Sequence, residues 1–231
     1  MPILTDEEFG AITIRRSARS THVKISVAPN GSLRATLPMY APLFMLKRLI
    51  KTSRDQLRDM LHTQLPDYEF VNGMAIGKSH TLIVLPAATG ELDVSRHKQQ
   101  IVVRLPVAKQ LNDADVAAAI RKTMITALRI EAKSYLPKRL AYLASEMNCT
   151  YERVRFSHAS GRWGSCSSSG TISLNIALMK LPHELIDYVL IHELCHTKQM
   201  NHSSVFWALV ESEDRLYKLH RKSLKVFSPS I

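Results

Sequence analysis

The chain has 231 residues, of which 45% are hydrophobic and 22% charged, which is enough apolar content for one domain or two modest ones. Its longest apolar runs, such as Tyr188-Val-Leu-Ile191, are far too short to span a bilayer, and Met1 to Glu8 has neither the basic nor the apolar region of a secretory signal. Three widely spaced cysteines, Cys149, Cys166 and Cys195, exclude a disulfide framework and a cysteine-based zinc ribbon, so a reducing, cytoplasmic setting is expected.

The formal net charge is +11. Basic residues gather at Arg15, Arg16 and Arg19, at Lys47, Arg48, Lys51, Arg54 and Arg58, and at Arg215, Lys218, Arg221, Lys222 and Lys225. Such clusters read first as a solvated face; the alternative is a surface that holds nucleic acid through phosphate contacts. No nucleic-acid-binding motif accompanies them, and aromatics are not interleaved with the charges.

In chain order, Ile12-Thr-Ile14 and the alternating Val23–Val27 read as strands. Pro29-Asn30-Gly31 is a hairpin turn leading to Leu33–Leu37, because Asn-Gly tolerates positive φ. Pro42 opens a helical pattern with Phe44, Leu46, Leu49, Ile50, Leu57 and Leu61 inward. A second β-like region spans 68–105, with a turn at Asn72-Gly73, strands at His80–Leu85 and Gln100–Leu105, and a loop at Ala87–Gly90. From a cap region at Asn112–Asp115 to Met147 the pattern is helical, and Pro137 is expected to kink or divide it. Val154–Ser157 resumes strand character, and Trp163–Cys166 with Thr171–Asn175 forms a hairpin. Leu181-Pro182 starts a helix through His196, which a left-handed Asn201 ends. Ser203 or Ser204 caps a final helix with Phe206, Trp207, Val210, Leu216 and Leu219 inward. The sequence carries no internal repeat and no low-complexity tract.

The chemistry concentrates at Ile191-His-Glu-Leu-Cys-His-Thr-Lys-Gln-Met-Asn-His202. In a helix, His192 and His196 share one face with Cβ atoms roughly 5–6 Å apart, so both imidazoles can reach one Zn²⁺. Glu193, beside the metal, would act on its water rather than ligate it. His202 lies six residues past His196, off that face if the helix continued; after a turn at Asn201 it becomes the third ligand, with water in the fourth position. Glu211 and Glu213 are the rival third ligands. Zinc would acidify that water, and Glu193 would take its proton as a carbonyl is attacked, then pass it to the leaving amine.

Residues 160–210, from Ser160-Gly-Arg-Trp-Gly-Ser-Cys166 to Asn201-His-Ser203 and Phe206-Trp207, resemble the YgjP-type metal-dependent hydrolases, which sit among the SprT-like and small gluzincin-like zinc peptidases. The likeness extends more weakly through Arg129–Lys133 and Leu136–Leu140. It implies a zinc peptidase with His192, His196 and His202 as metal ligands and Glu193 as base, acting on peptide or protein. The implied fold is α+β: a zincin-like core of active-site helix, backing helices and small antiparallel sheet over 109–231, after a β-rich region with one helix over 1–108. The resemblance also implies an edge strand beside the active-site helix, assigned to Thr171–Asn175, on which an extended peptide can pair. Gln199 stands where metzincins have glycine, which keeps the chain out of that group. Two alternatives remain: a nucleic-acid-associated protein, through the basic clusters and a distant likeness to Spartan-like proteases, and a zinc hydrolase of non-peptide amides. No membrane partner is expected, and the oligomeric state is not legible.

Other residues carry weaker signals. Trp163 reads as packing before substrate contact. Cys166 reads as a loop thiol before a metal-directed thiolate, and Cys195 as core. His158, His183, Tyr217 and His220 are candidate oxyanion donors, and Asn175 either fixes the hairpin or orients a ligand.

Overall fold

The computed structural model describes residues 2–28, 32–64 and 69–231, and within 54–64 not every side chain. Two compact units emerge, 1–68 and 69–231. The first is built on strands β1 (Ile3–Asp6), β2 (Gly10–Ser17), β3 (Lys24–Val27) and β4 (Leu33–Pro38), in the order β1-β2-β4-β3. Alternation decides which face is buried: Leu33, Ala35 and Leu37 point inward beside Ile12 and Ile14, and Arg34 points out. The β3–β4 pairing expected from the sequence is present, with Val27 opposite Leu33. The Asn30-Gly31 turn itself lies outside the described residues.

The single expected helix is two, α1 (Leu43–Thr52) and α2 (Arg54–Gln64), broken at Ser53, whose N–H still reaches the carbonyls of Leu49 and Ile50. Leu46, Ile50 and Leu57 are buried, whereas Phe44 is exposed. Two positions along a helix turn the side chain by about 200°, so Phe44 and Leu46 cannot both face the core. The Leu61 side chain is outside the described set. Several cluster arginines are committed within this unit: Arg54 to Asp6 and Glu8, Arg58 to Glu8 and Asp55, and Arg16 to the carbonyls of Met39 and Ala41.

The second unit begins with β5 (Ala75–Ile76), β6 (His80–Pro86), β7 (Asp93–His97) and β8 (Gln100–Leu105), in the order β5-β6-β8-β7. Its outer pairs are antiparallel and its central pair parallel, which is the pattern of the first sheet. A repeat absent from the sequence is therefore present in the topology. Strand β7, not anticipated, turns into β8 through Lys98, which carries a positive φ of 52°.

This sheet belongs with the long helix α3 (Ala114–Glu146), so the compact units meet at 68/69, upstream of the sequence boundary at 108/109. The tie is Glu131, a buried carboxylate on α3 that accepts from the backbone N–H groups of Lys78, Ser79 and His80 and from the His80 ring. Gly77, with φ +66°, lets that turn press against it; a Cβ there would collide with the carboxylate. Helix α3 runs through Pro137 undivided, burying Leu136 and Leu140 on either side of it.

The remainder surrounds the site. Strands β9 (Arg153–Ser157), β10 (Gly164–Cys166) and β11 (Thr171–Asn175) form a sheet ordered β10-β11-β9. The expected β10–β11 hairpin is present, but β11 runs parallel to β9, so the sheet is mixed rather than antiparallel. A 3-10 turn over 176–180, capped by the Asn175 side chain, leads into α4 (His183–Lys198). Helices α5 (Ser204–Glu213) and α6 (Tyr217–Leu224) follow. They replace one expected helix: Asp214 stops the first and accepts from Leu216 N and the His220 ring, which resets the phase and leaves Leu216 and Leu219 exposed. The class is α+β. No described helix is long and apolar enough to cross a membrane.

Candidate metal centre

The site is built on the last two turns of α4. Ile186, Leu190 and Leu194 bury one face of that helix completely, which turns His192, Glu193 and His196 toward β10 and α5. The helix ends without the left-handed Asn201 expected: Gln199 takes an extended conformation, its N–H bonded to the Cys195 carbonyl, and no described residue between 199 and 203 has positive φ. The Gln199 side chain instead braces the turn, donating to Asn201 Oδ1 and reaching Ser203 Oγ. Ser203 then caps α5 through Phe206 N, as the sequence suggested.

That turn brings His202 back onto the α4 histidines. One ring nitrogen from each of His192, His196 and His202 lies within 4.8 Å of the others, a set that includes neither Glu211 nor Glu213. Nε2 of His192 and Nε2 of His202 face each other at 3.1 Å. Two nitrogens each about 2.0–2.1 Å from a tetrahedral ion are about 3.3 Å apart, so the facing pair has the spacing of shared ligation. Nδ1 of His196 is 3.1 Å from the Gln199 carbonyl; it donates there, which leaves Nε2 as the free acceptor. Burial, and after it the neighbouring His196 and His202, push His192 down to about 3, so its ring is neutral and competent to ligate. Burial also lowers His196, partly opposed by the Gln199 bond. This donor set fits one divalent cation.

Aromatic rings wall the cluster. Phe206 stacks on His196 at 4.5 Å between centroids, and Trp207 lies against His202 at 5.6 Å. Tyr217 stacks behind Trp207, and the Arg221 guanidinium covers Trp207 at 4.6 Å. The apolar pattern of α5 is thus spent on holding imidazole planes.

Glu193 is 5% exposed, and its Oε2 has no hydrogen-bond partner among the described residues. Burial pushes its carboxyl up to about 8, with the Arg162 charge pulling the other way; a divalent cation held by the neighbouring histidines would pull it down again into the ionised form a base needs. It lies against Gly164 of β10, where a Cβ would stand 2.5 Å from Oε1. The Trp-Gly-Ser-Cys signature therefore contributes its glycine as clearance for the carboxylate. The loop before it is fixed by Asn175, whose Nδ2 donates to the carbonyls of Ala159 and Arg162. Asn175 holds the hairpin.

A cavity of about 210 Å³ opens beside Glu193 and His192, walled by Trp163, Tyr188, Val189 and Leu224. Tyr188 was not singled out in the sequence, although it lies four residues before His192 and so on the same helical face. The strand bordering this space is β10; β11 is the inner strand, with Thr171, Ile172, Leu174 and Asn175 buried, so the assignment of 171–175 as the cleft edge is corrected to 164–166. Central pairing on both sides leaves β11 no free edge.

The candidate oxyanion donors are dispersed. His183 starts α4 and meets the Tyr135 hydroxyl, His158 meets Arg129, His220 is held by Asp214, and Tyr217 is buried behind Trp207. Cys195 is core, its thiol pushed up to about 12 by burial. Cys166 is half-buried, and burial followed by the Glu193 charge raises its thiol.

Two metallopeptidase zymogens are among the solved structures that match part of the chain. The metallopeptidase zymogen abylysin of Pyrococcus abyssi is 28% identical over 39% of this chain and 91% of its own, with a TM-score of 0.36. The zymogen jannalysin of Methanocaldococcus jannaschii is 20% identical over 39% of this chain and 96% of its own, with a TM-score of 0.33. No curated protein matches. The model of the YgjP-like metallopeptidase domain matches residues 21–227, and the chain belongs to that family of metallopeptidases.

Proposed function

We propose that this metallopeptidase is zinc-dependent, with His192, His196 and His202 holding the metal and Glu193 serving as general base in peptide-bond hydrolysis. The observation that carries the proposal is the convergence of the three ring nitrogens within 4.8 Å beside a buried carboxylate whose Oε2 has no hydrogen-bond partner among the described residues. An all-imidazole set suits zinc, and when bound that ion supplies a Lewis acid that makes water nucleophilic near neutral pH.

The chain's own residues do the rest. The Gln199 carbonyl fixes which His196 nitrogen is free. Gly164 leaves room for Glu193, whose carboxylate accepts a proton from the attacking water and returns it to the leaving amine. The outer edge of β10 offers unpaired backbone groups to an extended peptide, and the adjoining cavity accepts an apolar side chain. The nucleic-acid reading gains no comparable support, since Arg16, Arg54 and Arg58 are already engaged within the protein. Three unpaired cysteines fit a reducing, cytoplasmic compartment.

The test is a peptide library digested by purified protein, by chelated protein with and without added Zn²⁺, and by Glu193→Gln. Cleavage restored by zinc and lost in the variant is expected. Cleavage that persists in chelated protein or in Glu193→Gln overturns the assignment.

A further inference from the structure

The segments that frame the metal centre carry charge of one sign. Trp163 and Leu224, which wall the cavity beside His192 and Glu193, belong to the stretches 153–183 and 215–231. Neither stretch contains an aspartate or a glutamate, whereas the first holds four lysines and arginines and the second five.

Two arginines bring that charge to the reacting groups. Arg162 immediately precedes Trp163, and its charge is close enough to Glu193 to pull against the burial that raises the carboxyl. Arg221 stands three residues before Leu224 and so on the same face of α6. Its guanidinium covers Trp207 at 4.6 Å, and its charge acts on His192 after burial and the other two histidines. Both arginines are exposed, and neither is hydrogen-bonded to a carboxylate among the described residues. With about 100° between successive residues, Lys218, Lys222 and Lys225 form the next stripe of α6, beside Arg221 and exposed.

The carboxylates of the adjoining helices do not cancel this field. Asp187 is held by Arg139, Asp214 by the His220 ring, and Glu211 faces Lys218 at 3.8 Å. Glu184 precedes His192 by eight residues, about 12 Å along α4, and Glu213 lies toward Cys195, on the core side. The cavity itself is apolar apart from the catalytic groups. An apolar cavity of about 150 Å³ takes a benzene ring, so the 210 Å³ between Trp163, Tyr188, Val189 and Leu224 admits an aromatic or large aliphatic side chain.

We propose that the substrates of this centre are acidic peptide segments, which seat one bulky apolar side chain in the cavity and carry carboxylates beside it, toward Arg162, Arg221 and the lysine stripe of α6. This rests on the peptidase reading above and names its substrate class. The preference comes from the summed field and not from one clamp, because each exposed ion pair is weak by itself. Such a field concentrates chains of opposite charge and repels those of like charge, which acts mainly on the rate of association. Nucleic acid carries the same charge but no apolar side chain for the cavity, so a peptide is the occupant that satisfies both features.

The probes are peptides of one length with a central Phe flanked on both sides by Glu, by Gln or by Lys. Cleavage by zinc-loaded protein is followed as kcat/KM. Binding to zinc-loaded Glu193→Gln is followed by fluorescence anisotropy, which needs no turnover. The Glu-flanked peptide is expected to be cleaved and bound about tenfold or more better than the Lys-flanked one, with the Gln-flanked peptide between them. That ratio is expected to shrink as salt rises from about 10 mM to about 100 mM, where the screening length falls from about 30 Å to about 10 Å. It is also expected to fall several-fold in the double variant Arg162→Gln, Arg221→Gln and, as a change that disturbs no ring contact, in Lys222→Gln, Lys225→Gln. Cleavage without charge preference, or a preference unmoved by salt and by both double variants, overturns the acidic substrate and leaves the peptidase reading standing. Charge-selective binding with no cleavage of any peptide keeps the acidic ligand and overturns the peptidase reading; neither binding nor cleavage overturns both. A DNA strand that displaces the Glu-flanked peptide at lower concentration overturns the peptide in favour of nucleic acid.

Discussion

Gly164 and Glu193 are in such close approach that a Cβ on the glycine would stand 2.5 Å from Oε1 and 2.8 Å from Cδ of the glutamate. Gly164 has no positive φ, so backbone strain is not the reason for glycine here. The reason is clearance for the Glu193 carboxylate. Gly164→Ala is expected to displace the carboxylate while leaving the histidine cluster intact. The loss in kcat is set at about 10²-fold, the scale for a misplacement of about 1 Å. Activity assays read against unchanged zinc content check it; a fully active Gly164→Ala enzyme would contradict the role.

Glu193→Gln keeps the shape and removes the base. Zinc content is expected to stay near that of the wild type while kcat falls about 10²–10⁴-fold, the range for a lost general base. Equal loss of metal would instead mark Glu193 as a ligand.

The third ligand is separable by comparison. His202→Ala removes a nitrogen that faces His192 at 3.1 Å, whereas Glu211 is exposed and pairs only loosely with Lys218 at 3.8 Å. Zinc affinity, measured by competition with a chromogenic chelator, is expected to fall about 10²-fold or more for His202→Ala and to be unchanged for Glu211→Ala. The reverse order transfers the ligand to α5.

Glu131 gives the fold an acid limit. Burial acts to raise its carboxyl, but the bonds from His80, Lys78 and Ser79 outweigh that and hold it below the ordinary 4.5. A carboxyl lower in the folded state stabilises fully above about pH 4.5, and the contribution disappears as pH falls through the folded value. Glu131→Gln is expected to lose about 1–3 kcal/mol near neutral pH and to show a flatter stability profile on the acid side. Urea unfolding across pH 3–7 would check it, and a variant with the wild-type acid slope would show that another group sets it.

Much of the site was legible because its elements are local. His192 and His196 share a helical face by spacing alone, and the Ser203 cap and the hairpin pairing Gly164 with Leu174 follow from side-chain chemistry within a few residues. The turn between α4 and His202 was expected in place but not in mechanism: Gln199 and its side-chain bonds do what a left-handed Asn201 was expected to do. Phe44 was assigned inward although it stands two positions from Leu46 in the same helix, and Leu216 and Leu219 on a periodicity that the break at Asp214 resets.

By itself the sequence determined the chemistry available: three imidazoles and one carboxylate at fixed spacing, on a helix whose apolar face had to be buried. Tertiary structure decided what those groups meet. Only packing puts Gly164 against Glu193, makes β10 rather than β11 the free edge, and ties the second sheet to α3 through Glu131. These are contacts between residues tens of positions apart, and local periodicity carries no information about them, because side-chain spacing fixes a face but not its partner.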